Sequence, residues 1–244
     1  MNNIERASLL SEALPYIRAY NKKVVVIKYN SKAMQTLKLK KAAISDIVLL
    51  SLVGVRVVVV HGCKDGDDAS LDATGKEIVS LITSEGAKAF SFSGLDASLF
   101  TAEKNEIVSV NPELVTVALD NGYIPVISAI ARSVDSETNH SIYAATAAME
   151  LAVSLGAEKL ILLTDCIGVQ NKDSQLISEL PLSKVRQFIK EGIISGDMIH
   201  RVDCCVKAVR KGVPRAHILD GRVSHSILVE MLTDSGIGTM ILHD

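Results

Sequence analysis

The stretch Val24 to Met34, VVVIKYNSKAM, runs β-favouring residues into Lys28 and then turns through Asn30, Ser31 and Lys32. A lysine delivered by a strand into a tight turn is placed to neutralise a phosphate, whose oxygens attract a compact cation and bare backbone N–H groups. Four further strand-like runs end in polar turns: HGCKDG from His61, SFSG from Ser91, LLTDCIG from Leu162 and SGDMIHR from Ser195. Turns of this kind at helix N-termini form anion nests, so several along one sheet edge point to a polyphosphate ligand. One turn alone is ordinary loop chemistry, and Asp165 by itself reads as a turn or helix cap.

The elements that must position these turns alternate regularly. Leu9, Leu10, Ala13, Leu14 and Ile17 recur at helical spacing, so residues 1–22 read as an amphipathic helix that covers another surface. KVVVIKY is a strand, Lys38 to Leu52 a helix, VRVVVVHG a strand, CKDGDDASLDATG a polar connection, KEIVSLITSEG a helix and AKAFSFSG a strand. YIPVISAI, KLILLTD, RAHILDG and GTMILHD supply later strands, with helices in AATAAMELAVSLG, SKVRQFIKEG and the segment after Gly196. This alternation predicts an α/β fold, a three-layer αβα sandwich with a mainly parallel central sheet. Residues 23–244 then form one domain with lobes 23–130 and 131–244, and Lys28, Gly62, Gly94 and Asp165 share one sheet edge.

Composition narrows the classes. Apolar residues make up 48% of 244, aromatics 4%, and Trp is absent, so Val, Ile, Leu and Ala must fill the core. A net charge of -2 with interspersed signs argues against a nucleic-acid partner. The apolar runs are too short to span a membrane and the first residues carry charges, so a cytoplasmic protein is expected. Cys63, Cys166, Cys204 and Cys205 show no C-x-x-C spacing, which argues for reduced thiols and no metal centre. No G-x-G-x-x-G follows the first strand, which disfavours a dinucleotide enzyme.

The order of the segments carries more than any one of them. ALPYIRAY, VVIKY, VVVVHG, GKEIVSLI, VNPELV, GYIPVISAI, AEKLILLTDCIGV, LISEL, ISGDMI and RAHILDGRVSHSILVEMLTDSGIGTMI together closely resemble the N-acetylglutamate kinase family of the amino acid kinase superfamily. The resemblance covers nearly the whole chain. It implies ATP-dependent phosphorylation of the N-acetyl-L-glutamate γ-carboxylate in arginine biosynthesis, with Mg2+ accompanying the nucleotide. The N-terminal helix resembles that of the arginine-sensitive branch, where it interlaces dimers into a hexamer and borders an arginine site. A homodimer or hexamer, and arginine as a possible third small ligand, are therefore expected.

Residue by residue, the family's Lys-Tyr-Gly-Gly turn matches Lys28, Tyr29, Asn30 and Ser31, and its His-Gly-Gly-Gly turn matches His61, Gly62, Cys63 and Lys64. The resemblance thus implies Lys28 and Arg201 as the catalytic cations, Arg201 standing where the family has its second lysine. It assigns Asn30, Ser31, Thr164, Asp165, Gly168, Gly196 and Met198 to the nucleotide, and Gly62, Cys63, Lys64 and Ser141 to the acyl substrate. Four departures fall on chemistry: side chains at positions 30 and 31, side chains at 63 and 64, Ala145 in place of the aspartate that orients the lysines, and arginine at 201. The family's substrate lid and its arginine have no room in DGDDASLDAT. A kinase of weak or absent turnover is expected, and the competing reading is a non-catalytic relative that binds arginine or another effector, or serves as an oligomeric partner.

Overall fold

The computed structural model describes residues 11–31, 33–62, 68–103, 106–134 and 139–244. In chain order its elements are α1 (Leu14–Tyr20), β1 (Val24–Tyr29), α2 (Leu37–Leu52), β2 (Arg56–His61), α3 (Asp68–Ser84), β3 (Ala89–Ser93), β4 (Phe100–Glu103), β5 (Glu106–Val110), α4 (Glu113–Asp120), β6 (Ile124–Ser128), β7 (Ile130–Ser133) and β8 (Asn139–Ser141). There follow α5 (Ala144–Ser154), β9 (Lys159–Thr164), β10 (Glu179–Pro181), α6 (Leu182–Lys190), α7 (Asp197–Arg210), β11 (Arg215–Asp220), α8 (Ser226–Leu232) and β12 (Thr239–Leu242).

Eight strands form one sheet in the order β10-β12-β11-β9-β1-β2-β6-β3. The six from β11 to β3 are mutually parallel, whereas β12 pairs antiparallel to β11 and parallel to β10. Strand side chains alternate between faces, and the sequence exploits this. Val24, Val26, Val58, Val60, Leu160 and Leu162 pack on α5 and α7. Val25, Ile27, Val57, Val59, Ile161 and Leu163 pack on α2, α3 and α8. The result is the expected αβα sandwich. Because β1, β2, β3 and β9 are parallel, Lys28, Gly62, Gly94 and Asp165 all lie at their C-terminal edge.

Two features differ from the sequence expectation. A second sheet, β5-β4-β7-β8, sits beside the first and carries Ser141 at the end of its edge strand. Its strands are three to five residues long. In addition, α3 begins at Asp68, so DASLDATG is helix and not connection. Leu71, Ile78 and Ile82 give it a buried face, and Lys76 bonds Asp72 one turn back. Gly75 stands inside this helix, at a cost of about 0.5–1 kcal/mol relative to Ala. The N-terminal helix is described from residue 11 onward. Its helix α1 buries no residue fully, but Tyr16 donates a hydrogen bond to the Asp234 carboxylate. The Lys159 ammonium lies 4.9 Å from the Tyr20 ring centre.

Candidate active site

Strand order runs outward from β1 in both directions, to β2 on one side and β9 on the other. That makes the C-terminal end of β1 a switch point, where open α/β sheets leave a crevice for ligands. A cleft of about 730 Å3 opens there. Lys28, Asn30 and Ser31 line it from β1 and its turn, Gly62 from β2, and Ser141, Tyr143 and Ala145 from the approach to α5. Thr164 and Asp165 enter from β9, and Asp197, His200 and Arg201 from the first turns of α7. Lys28 has the parity of Val24 and Val26, which aims it toward the α5 and α7 side.

The turn after β1 is conventional. Asn30 accepts a backbone hydrogen bond from Ala33 at 3.1 Å, and neither Asn30 nor Ser31 adopts a positive φ. Gly62 is held against α5, since a Cβ there would stand 3.0 Å from the Ala144 methyl. Cys63 and Lys64 lie outside the described residues. Ala145 occupies the first turn of α5 and contributes only a methyl group to the cleft.

The second cation is already engaged. Arg201 Nη2 donates to Asp165 Oδ1 at 2.8 Å, and its Nη1 donates to Cys166 Sγ at 3.0 Å. Burial pushes the Asp165 carboxyl up, but the hydrogen bond and charge of Arg201 outweigh that and hold it below its ordinary value. A neighbouring pair repeats the motif at the end of β11. Asp220 is almost fully buried and accepts three bonds from Arg222: backbone N–H to Oδ1 at 2.9 Å, Nε to Oδ1 at 2.9 Å and Nη2 to Oδ2 at 2.8 Å. Burial raises the Asp220 carboxyl, the bonds and charge of Arg222 lower it by more, and the net shift is downward.

Other residues assigned to the nucleotide divide. The Thr164 hydroxyl lies 3.0 Å from the Leu219 carbonyl and ties β9 to β11, though Thr164 also faces the cleft. Gly168 has φ 129, and a Cβ there would stand 2.5 Å from Thr239 Oγ1, which accepts from Val169 N–H at 2.8 Å. Its glycine is therefore required by packing. Gly196 has φ 55 and caps the N-terminus of α7 with open space beside it. Met198 packs partly buried against the core under α7.

Two contacts in this region were not foreseen from the sequence. Tyr143 is highly exposed, with its ring centre 5.0 Å from that of His200. The charged pair of Asp220 and Arg222 was also missed, although RAHILDG ends a strand in Asp-Gly as KLILLTD ends one in Asp. Among the described residues no group of three His, Cys, Asp or Glu could hold a metal ion.

The family model for the amino acid kinase family matches residues 23–220. Acetylglutamate kinase of Clostridium kluyveri is 40% identical over 283 positions, covering 99% of this chain and 100% of the relative. Acetylglutamate kinase of Thermoanaerobacter pseudethanolicus is 42% identical, covering 98% and 94%. Both alignments run well past the 244 residues present here, so these relatives carry additional segments. Among solved structures, N-acetylglutamate synthase from Neisseria gonorrhoeae, complexed with coenzyme A and N-acetyl-glutamate, superposes with a TM-score of 0.84 at 23% identity. That match spans 98% of this chain and 63% of the synthase. Giardia carbamate kinase superposes with a TM-score of 0.68 at 17% identity, covering 91% of this chain and 99% of the kinase. At these identities the two structures speak to fold alone.

Proposed function

Because the chain belongs to the amino acid kinase family and stands among its acetylglutamate kinases, we propose that the cleft at the end of β1 receives Mg-ATP beside N-acetylglutamate, with phosphoryl transfer strongly impaired. Bound Mg-ATP would supply the γ-phosphoryl group and the cation that travels with it. Lys28 would face the phosphate oxygens, and the backbone amides opening α7 would add fixed positive potential. In this reading residues 131–244 hold the nucleotide and residues 23–130 the acyl group.

The observation that carries the impaired half of the reading is the Arg201–Asp165 contact at 2.8 Å. Phosphoryl transfer is catalysed by positioned charge, and a guanidinium committed to a carboxylate brings little net charge to a phosphate. Asp197 adds a negative charge at the same helix start. Ala145 cannot orient either cation. Losing one preorganised electrostatic contact costs about a hundredfold to a thousandfold in rate, so several losses leave turnover near background. The test is acyl phosphate formation from Mg-ATP and N-acetylglutamate, trapped as hydroxamate. A rate barely above the uncatalysed one is expected, and brisk turnover abolished by Lys28→Ala would refute the impaired reading.

A second reading, effector binding, rests on a separate cluster beneath α1. His217 Nδ1 lies 2.7 Å from Glu230 Oε1, Lys159 is nearly buried close by, and Glu230 Oε2 accepts from Ile237 N–H at 3.2 Å. A buried carboxylate and ammonium under one helix match the two ends of arginine. Calorimetry with L-arginine decides this reading, since loss of the heat in Glu230→Gln supports it and an absence of heat in the unaltered chain ends it. Light scattering with and without arginine distinguishes a homodimer from a hexamer.

A further inference from the structure

A second cavity, of about 350 Å3, lies on the opposite side of the sheet from Lys28, under the first turns of α3. It is small but within the size range of ligand pockets, roughly 300–1,000 Å3. Its floor is polar and shut off from solvent. His61 is 1% exposed and its Nδ1 has no hydrogen-bond partner. Ser128 is 7% exposed, and Ser91 stands on the neighbouring edge strand. Burial pushes the His61 imidazole down to about 4, so at neutral pH one ring nitrogen is a free acceptor. A buried acceptor left unpaired is costly, which gives an incoming donor a ready partner.

The space is kept open by backbone. A Cβ at Gly75 would stand 3.1 Å from His61 Nε2 and 3.2 Å from Ser91 Cβ, so any other residue there would fill the floor. The wall is equally fixed, because Asp96 Oδ2 accepts from Ser93 N–H at 2.7 Å and Gly94 N–H donates to the Ser128 carbonyl at 3.1 Å. The rim carries the carboxylates of Asp72 and Asp96; Lys76 bonds Asp72 from its outer side, and no described Lys or Arg lines the cavity itself. Leu71 and Ile130 supply apolar surface between floor and rim.

We propose that this cavity binds a short organic cation with a hydrogen-bond donor at its far end, such as an amino alcohol, its ammonium between Asp72 and Asp96 and its donor on His61. The cavity lining has carboxylates and no described cation, whereas the β1 cleft presents Lys28 and Arg201, so the two sites select different ligands. The proposal is independent of the nucleotide reading. Calorimetry on the full chain with 4-amino-1-butanol tests it, against n-butanol, n-butylammonium and 4-hydroxybutanoate. The amino alcohol should bind at one site, at least tenfold tighter than each of the other three. Asp72→Asn/Asp96→Asn should weaken it at least tenfold while keeping an acceptor for Ser93, and Gly75→Ala should weaken it by intruding on the floor. Mg-ATP titrated into the same variants reads the other cleft and should be unchanged. No saturable heat, equal affinity for n-butanol, or unaltered binding in both variants would each overturn the proposal; the first would leave a space that holds only water.

Discussion

Arg201 and Asp165 stand 2.8 Å apart at the mouth of the cleft, one on the first turns of α7 and the other just past β9. The carboxylate is more than half exposed and the guanidinium about a quarter. Such a pair adds little stability. Its effect falls on ligand binding, where it sets how much positive charge a phosphate meets.

Asp165→Asn should therefore release Arg201 and raise Mg-ATP affinity severalfold, with a change in melting temperature of no more than a few degrees. Calorimetry at low ionic strength reads the first and thermal unfolding the second. A weaker affinity would mean that Asp165 itself contacts the nucleotide.

Asp197→Asn separates two consequences of one charge. At the first position of α7 the carboxylate favours the helix N-terminus by about 0.3–1 kcal/mol, yet it would repel a phosphate entering the cleft. The variant should lose a little stability in urea and gain nucleotide affinity. Both quantities moving the same way would contradict the placement.

For His61 the sign of the pH effect is fixed by burial. Its folded value is depressed from 6.5 to about 4, so between those values the unfolded chain binds a proton that the native state refuses. Stability is full above pH 6.5 and falls as pH drops toward 4, by up to about 3 kcal/mol. His61→Gln should flatten urea midpoints measured between pH 7 and pH 4.5. An unchanged slope would show that His61 titrates alike in both states.

Gly168→Ala tests whether that glycine serves packing. With φ 129 and Thr239 Oγ1 only 2.5 Å from the added carbon, the variant should lose about 2 kcal/mol or more of stability. Full stability with reduced nucleotide affinity would instead place Gly168 in the ligand site.

The main sheet was legible because its strands are apolar on both faces and therefore conspicuous, as in Val24 to Ile27. The small sheet was not, since FTAE and IARS are too short to show a period and their pairing is set by residues distant in the chain. The start of α3 hid behind acidic residues and Gly75, which read as loop until the contact with His61 is known. At the site, the sequence located the turns but not their internal commitments. Nothing near Thr164 announces that its hydroxyl is taken by Leu219, and nothing near Arg201 announces Asp165.

The position of β1 also bears on how the chain reaches its fold. One edge of this strand is covered promptly by β2, but the other waits for β9, which begins only at Lys159. While the intervening segments emerge from the ribosome, a run of Val and Ile has half its backbone donors and acceptors bare. Such an uncovered edge invites pairing with another nascent copy. Lys28 lies at the end of that run and Lys22 and Lys23 precede it, and flanking charges of this sort oppose stacking of like strands. The lysine that lines the cleft in the finished molecule would thus act earlier as a gatekeeper against aggregation.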